Sequence, residues 1–218
     1  MRSLLRVLFV VLVAYPVVLL WLGLNVRHRE RLPARGPAVV AANHNSHLDT
    51  LTLFTLFPLG LIARVHPVAA ADYFTSNPWI AWFSRNVVGI IPVVRGSAKK
   101  GIDPLQECHD ALRRGEILII FPEGTRGEPE QMAAIKSGIW HLGRQCPQAT
   151  VVPVFMHGLG RSMPKGSIIP LPLFVDVYVG HPLQWCNEKA YFMTRLAERF
   201  SRLKSRLENL RGAAGWSA

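Results

Sequence analysis

Hydrophobic positions run unbroken near one end of the chain and come in short pulses through the rest. From Val7 to Val26 no charged residue occurs, and twenty helical residues at about 1.5 Å each reach roughly 30 Å, the depth of one bilayer core. A cleaved leader is the rival reading. The run lacks a small-residue cleavage pattern, however, and meets Arg27, Arg29 and Arg31 instead. The pattern predicts a membrane anchor over residues 1–30. It is a spanning helix or, because Pro16 sits mid-run, a hairpin or interfacial segment. Arg2 and Arg6 precede the run while Arg27, Arg29, Arg31 and Arg35 follow it, so the expected location is a membrane with the main domain on its cytoplasmic face.

Residues 31–218 read as one domain. Short aliphatic and β-branched runs predict strands at Ala38–Ala42, Val65–Ala69, Ile90–Val94, Ile117–Phe121, Thr150–Phe155 and Phe174–Val179, with helical patterns between many of them. That alternation is the α/β signature: a mostly parallel central sheet flanked by helices on both faces. From Lys189 to Leu210, Phe192, Leu196, Phe200, Leu203, Leu207 and Leu210 recur at helical spacing with Arg195, Arg199, Arg202 and Arg206 between them. This predicts a closing amphipathic helix with a basic outer face. Trp79, Trp82 and Phe83 follow Pro78 and suit either aromatic core packing or interfacial anchoring.

Composition changes the picture in one respect. Half of the 218 residues are hydrophobic, yet Lys and Arg number 25 against 14 Asp and Glu, a net charge of +11. Basic charge on an apolar protein points to membrane lipids and phosphorylated substrates ahead of nucleic acid, which is not expected as a partner. Cys108, Cys146 and Cys186 are far apart, odd in number and free of any C-x-x-C pair, so they read as ordinary thiols.

Chemistry gathers in two places. Behind the apolar run at Val39–Ala42 the chain reads "NHNSHLD". His44 and Asp49 would lie about 140° apart on one continuous helix, but they can meet if His44 ends a loop and Asp49 lies in the first turns of the next helix. Ser46 supplies a helix start, and Asp49 three residues on completes a pattern like a capping box. The plainer alternative is that Asp49 only receives the Ser46 amide. The functional reading is a dyad in which the carboxylate orients the imidazole and His44 acts as general base. A serine nucleophile finds no G-x-S-x-G elbow. A metal site built on His44, His47 and Asp49 lacks the H-E-x-x-H pattern and a downstream partner, so no metal is expected and His47 is read as a spacer. A substrate hydroxyl remains as the group to deprotonate.

The second place is "ILIIFPEGTRG", a buried strand followed by a loop. Arg126 offers a planar fork for phosphate, Thr125 a hydroxyl, and Gly124 close approach of the backbone, although a surface turn held by a Glu–Arg pair would read the same way. "GIIPVVRG" ends a strand with Arg95, a second possible phosphate contact. Gly96 and Gly101 have the glycine spacing of a P-loop, but Ile102 and Asp103 replace its Lys and Ser/Thr.

Together, N-H-N-S-H-L-D, G-I-I-P-V-V-R, F-P-E-G-T-R and V-V-P-V, in this order, make the chain resemble the glycerolipid acyltransferase family, which contains the lysophosphatidic acid acyltransferases. The first and third motifs carry most of the likeness, and Pro92 stands where the family more often has an aromatic. The resemblance implies transfer of a fatty acyl group from acyl-CoA or acyl carrier protein to the hydroxyl of a lysophospholipid such as 1-acylglycerol-3-phosphate, with no cofactor. It further implies His44 as general base and Asp49 as its orienting partner. Arg95, Glu123, Gly124, Thr125 and Arg126 would hold the glycerol phosphate, Lys136 in "IKSGIWHL" would be a further basic contact, and Pro153 would shape the acceptor or acyl site. A thioesterase or lysophospholipase, and a membrane lipid-binding protein without turnover, are the alternatives from other classes.

Overall fold

The computed structural model describes residues 2–74, 77–94, 103–127, 131–163 and 169–213. Seven strands form one sheet in the order β1-β7-β6-β2-β5-β3-β4. The central pair, β2 (Ala38–Ala42) and β5 (Ile117–Ile120), run parallel with Ala38 opposite Ile117. They are almost wholly buried, as strands covered on both faces must be, and their unbroken aliphatic composition follows from that. β6 (Thr150–His157), β3 (Val65–Ala70) and β4 (Ile91–Val93) continue the parallel set, while β7 (Phe174–Val179) runs antiparallel to β6. Pro92 lies on the edge strand β4, where a missing N–H costs no ladder bond on the open side.

β1 (Gly23–Arg27) was hidden in the uncharged run that predicts an anchor up to residue 30. α1 (Arg2–Phe9) continues through wider turns at Val10–Ala14 and Pro16–Trp21, and Leu22 then turns extended. From there Leu24 and Val26 face the core while Asn25 and Arg27 are exposed, the two-residue alternation of a half-buried strand. Gly23 opens this strand because a Cβ there would run into the Phe174 ring.

Within the N-terminal helix, Val10, Ala14 and Val18 are buried at four-residue spacing and lead into buried Leu22. Arg6 extends the same stripe. Its Nη1 donates to the carbonyls of Ile62 (3.4 Å), Ala63 (3.0 Å) and Val65 (3.0 Å), so a cation is buried by capping the end of α3 (Leu59–Ile62). At the other end Trp21 Nε1 donates to the Pro170 carbonyl at 2.8 Å. The helix Ser3–Trp21 is long and apolar enough to cross a membrane, with a mean hydropathy of 2.5.

Alternation along the strands splits the core into two layers. On one face Val40, Ile119, Val152 and Val177 pack with the N-terminal helix and α2 (Leu48–Thr55). On the other, Val39, Leu118, Val151 and Phe155 pack with α5 (Gln106–Arg113), α6 (Gly138–Gln145) and α8 (Lys189–Ala213). α4 (Pro78–Phe83) leans on the N-terminal helix through an edge-to-face contact of Phe83 with Phe9, leaving Trp79 and Trp82 largely exposed. α7 (Leu159–Ser162) follows β6.

Candidate active site

Ligands of open α/β sheets gather beyond the carboxyl ends of the parallel strands, and both polar motifs lie there. β2 ends at Ala42, and Asn43 then imitates a strand residue with its side chain: Nδ2 donates to the Met156 carbonyl (2.8 Å) and Oδ1 accepts the Met156 N–H (2.7 Å). The chain thus leaves the sheet tied to β6. α2 begins at Leu48, after Ser46 Oγ has accepted the Leu48 N–H at 3.3 Å. The helix start expected with Ser46 as N-cap therefore falls one residue later, with His47 in the cap position and Ser46 still supplying a side-chain acceptor.

Asp49, in the first turn of α2, is completely buried. Its Oδ2 accepts the ring N–H at His44 Nδ1 (2.8 Å) and the backbone N–H groups of Asn45 (2.6 Å) and Ser46 (2.9 Å). The capping interaction and the His–Asp pair, alternatives on sequence grounds, coexist on one oxygen. Burial pushes the Asp49 carboxyl above its ordinary value, and the bonds from His44, Ser46 and Asn45 oppose that rise. The His44 tautomer protonated at Nδ1 lets Oδ2 accept all three bonds and leaves Nε2 as the ring acceptor.

The loop after β5 fixes His44 from the other side. Phe121 stacks on the imidazole at 4.1 Å between centroids and 18° between planes. Glu123 Oε1 accepts the His44 N–H at 2.8 Å, and the His44 carbonyl accepts the Gly127 N–H at 3.2 Å. The two motifs, about eighty residues apart in the chain, therefore enclose one residue.

The remaining expected site residues divide by position. Gly124 has φ +74°, a left-handed conformation suited to glycine, and a Cβ there would crowd Lys136, whose Nζ would lie 2.7 Å away. Lys136 is exposed and its backbone N–H donates to the Pro122 carbonyl at 2.8 Å, which brings that cation beside the loop. Thr125 is exposed and Arg126 half-buried. His47 is exposed, yet partial desolvation, then Arg126, then His44 disfavour a charge on it, so the three side chains share one neighbourhood. Glu123 differs from the others: it is 2 % exposed, and its second oxygen, Oε2, accepts the Ala133 N–H at 2.7 Å.

Pro153 is buried within β6, opposite Ala41 of β2, and its carbonyl accepts the Gly180 N–H at 2.8 Å. It packs inside the sheet, two residues before the Phe155–His157 end of the strand. Arg95 lies outside the described residues. Asn43 and Asn45, not singled out in the sequence, prove to organise the loop. Among the described residues, no group of three or more His, Cys, Asp or Glu is arranged to hold a metal ion. A groove of about 770 Å³ lined by Arg6, His66, Arg114 and Glu116 lies at the opposite end of the strands, where β3 and β5 begin, and includes none of these residues.

A mostly parallel α/β sheet with a His–Asp pair beyond one central strand and a basic glycine loop beyond its neighbour defines a recognisable class. Residues 23–157 match the model of the acyltransferase family, and the chain belongs to that family. It is 32% identical over 145 residues to a chloroplastic 1-acyl-sn-glycerol-3-phosphate acyltransferase of Arabidopsis thaliana, covering 66% of this chain and 38% of that one. It is also 32% identical over 145 residues to the 1-acyl-sn-glycerol-3-phosphate acyltransferase of Saccharomyces cerevisiae, covering 64% and 45%. The chain spans about two fifths of the length of the first curated relatives it matches. The fold is shared with the crystal structure of the 1-acyl-sn-glycerophosphate acyltransferase of Thermotoga maritima, at a TM-score of 0.68 and 22% identity over 87% of this chain and 73% of that one.

Proposed function

We propose that the protein transfers a fatty acyl group from a thioester, acyl-CoA or acyl carrier protein, to the free hydroxyl of 1-acylglycerol-3-phosphate, giving phosphatidic acid. The observation that carries this reading is the double hold on His44: Asp49 at 2.8 Å on Nδ1, and the Phe121–Gly127 loop on its ring and backbone. The acceptor hydroxyl gives its proton to His44 Nε2 as its oxygen bonds to the thioester carbon. The carbon–sulfur bond then breaks, and the thiolate recovers a proton from the imidazolium. No covalent enzyme intermediate is needed, because a thiolate leaves readily and the base acts on the substrate itself. Asp49 stabilises the imidazolium during the step, while Arg126 and Lys136 offer positive charge to the acceptor phosphate. The names carried by the relatives support the choice of acceptor.

The apolar outer surface of the N-terminal helix, with Trp79, Ile80, Trp82 and Phe83 beside it, supports attachment to a bilayer that holds both lipid substrate and lipid product. The basic residues that follow this helix, Arg27 to Arg35, favour the cytoplasmic face. The test is to supply purified protein with acyl-CoA and a lysophosphatidate of defined chain. CoA release that depends on the acceptor, with a diacyl product by mass spectrometry, is expected. Acceptor-independent release of fatty acid would instead make the protein a hydrolase, and no release across a panel of lysolipids would overturn catalysis.

A further inference from the structure

We propose that Glu123 is a positioning residue that holds the base His44 through its backbone, and that it does not contact the acceptor; this rests on the acyl-transfer reading above. A glutamate in a phosphate-binding loop is an odd choice chemically, since a carboxylate beside a phosphate adds like-charge repulsion. Here the side chain is turned inward and both of its oxygens are occupied. Oε1 accepts the His44 N–H at 2.8 Å and Oε2 the Ala133 N–H at 2.7 Å, charge-assisted bonds to groups 79 and 10 residues away. A Cβ on Gly127 would lie 3.3 Å from Oε2, so the loop closes tightly around this carboxylate.

The consequence is a fixed spacing between two parts of the site. Ala133 opens the segment that carries Lys136, whose own N–H is bound to the Pro122 carbonyl, one residue before Glu123. One carboxylate thereby ties the segment carrying the base to the segment carrying the cation, with the Phe121 ring stacked against the imidazole between them. Burial pushes the Glu123 carboxyl above its ordinary value, and the bonds from the Ala133 and His44 N–H groups oppose that rise. The phosphate is left to Arg126 and Lys136.

Glu123→Gln tests this with little change of shape: the amide keeps one acceptor oxygen and turns an NH₂ group toward the second N–H. The kcat for lysophosphatidate acylation should fall about 10- to 100-fold, the size of a small misplacement of a catalytic group. KM for lysophosphatidate should stay within about threefold, because no substrate contact is removed. A rise in KM at unchanged kcat would instead make Glu123 a substrate contact and overturn the proposal. A parallel measurement is independent of turnover: in the ¹⁵N-labelled protein in detergent, the His44 and Ala133 amide protons should resonate downfield and both move upfield in Glu123→Gln. Unshifted amides would overturn the positioning role, whereas shifted amides with no acyl transfer by the unaltered protein would uphold it and reject the proposed reaction.

Discussion

The N-terminal helix and α8 cover opposite faces of one sheet and differ in what they turn outward. Inward they are alike: Val10, Ala14, Val18 and Leu22 form one stripe, and Phe192, Leu196, Phe200, Leu203 and Leu207 form the other. Outward, α8 carries the ion pairs Arg202–Glu198 (3.7 Å) and Lys204–Glu208 (3.8 Å), one helical turn apart in each case, as expected of a helix facing water. The N-terminal helix instead exposes Leu4, Leu12 and Leu20, at 61, 68 and 85 %. A monomer in water seldom leaves so continuous an apolar surface uncovered. Burial of a stripe therefore says only that a helix packs; the opposite side of the helix tells which solvent it faces.

The sharpest way to break this comparison is from inside. Phe200→Ala empties a buried site beneath α8 and should destabilise the fold by about 3–5 kcal/mol, measured as a lowered denaturant midpoint. A loss below about 1 kcal/mol would mean that α8 is not part of the core. From outside, Leu12→Glu with Leu20→Glu should weaken binding to zwitterionic vesicles about tenfold or more in a flotation assay while leaving the unfolding midpoint nearly unchanged. Undiminished flotation would show that another surface meets the lipid. Cys108, on the inner side of α5, has its thiol pushed up to about 12, chiefly by burial. At neutral pH only about one molecule in 10⁵ would carry the thiolate, so iodoacetamide should fail to label Cys108 in the native protein and succeed after denaturation. The smallest effect belongs to the outer face of α8: Glu198→Ala removes an exposed ion pair and should change stability by less than about 0.5 kcal/mol.

Much of this architecture is readable from local pattern. β2 and β7 fall where the aliphatic runs predict, and the His44–Asp49 pair was accessible because both residues lie within one loop and the first turn that follows it. β1 was not, because an uncharged stretch conceals the change from helical to two-residue periodicity at Leu22. The partners of Glu123 and Asn43 were not legible for a different reason. Their partners are backbone groups of distant residues, the His44 and Ala133 N–H groups for one and Met156 for the other, and backbone groups leave no mark in the side-chain sequence. Arg126 and Lys136 were legible in the sequence as cations on or beside the loop.

The proposed acyl transfer turns on His44 as the group that takes the acceptor proton. Acceptor-dependent CoA release by His44→Ala, with acyl-CoA and lysophosphatidate and with vesicle binding checked on the same preparation, tests it most directly. The loss should be about 10²- to 10⁴-fold with flotation unchanged. Turnover within a few fold of the unaltered protein would contradict the assigned base and the mechanism built on it.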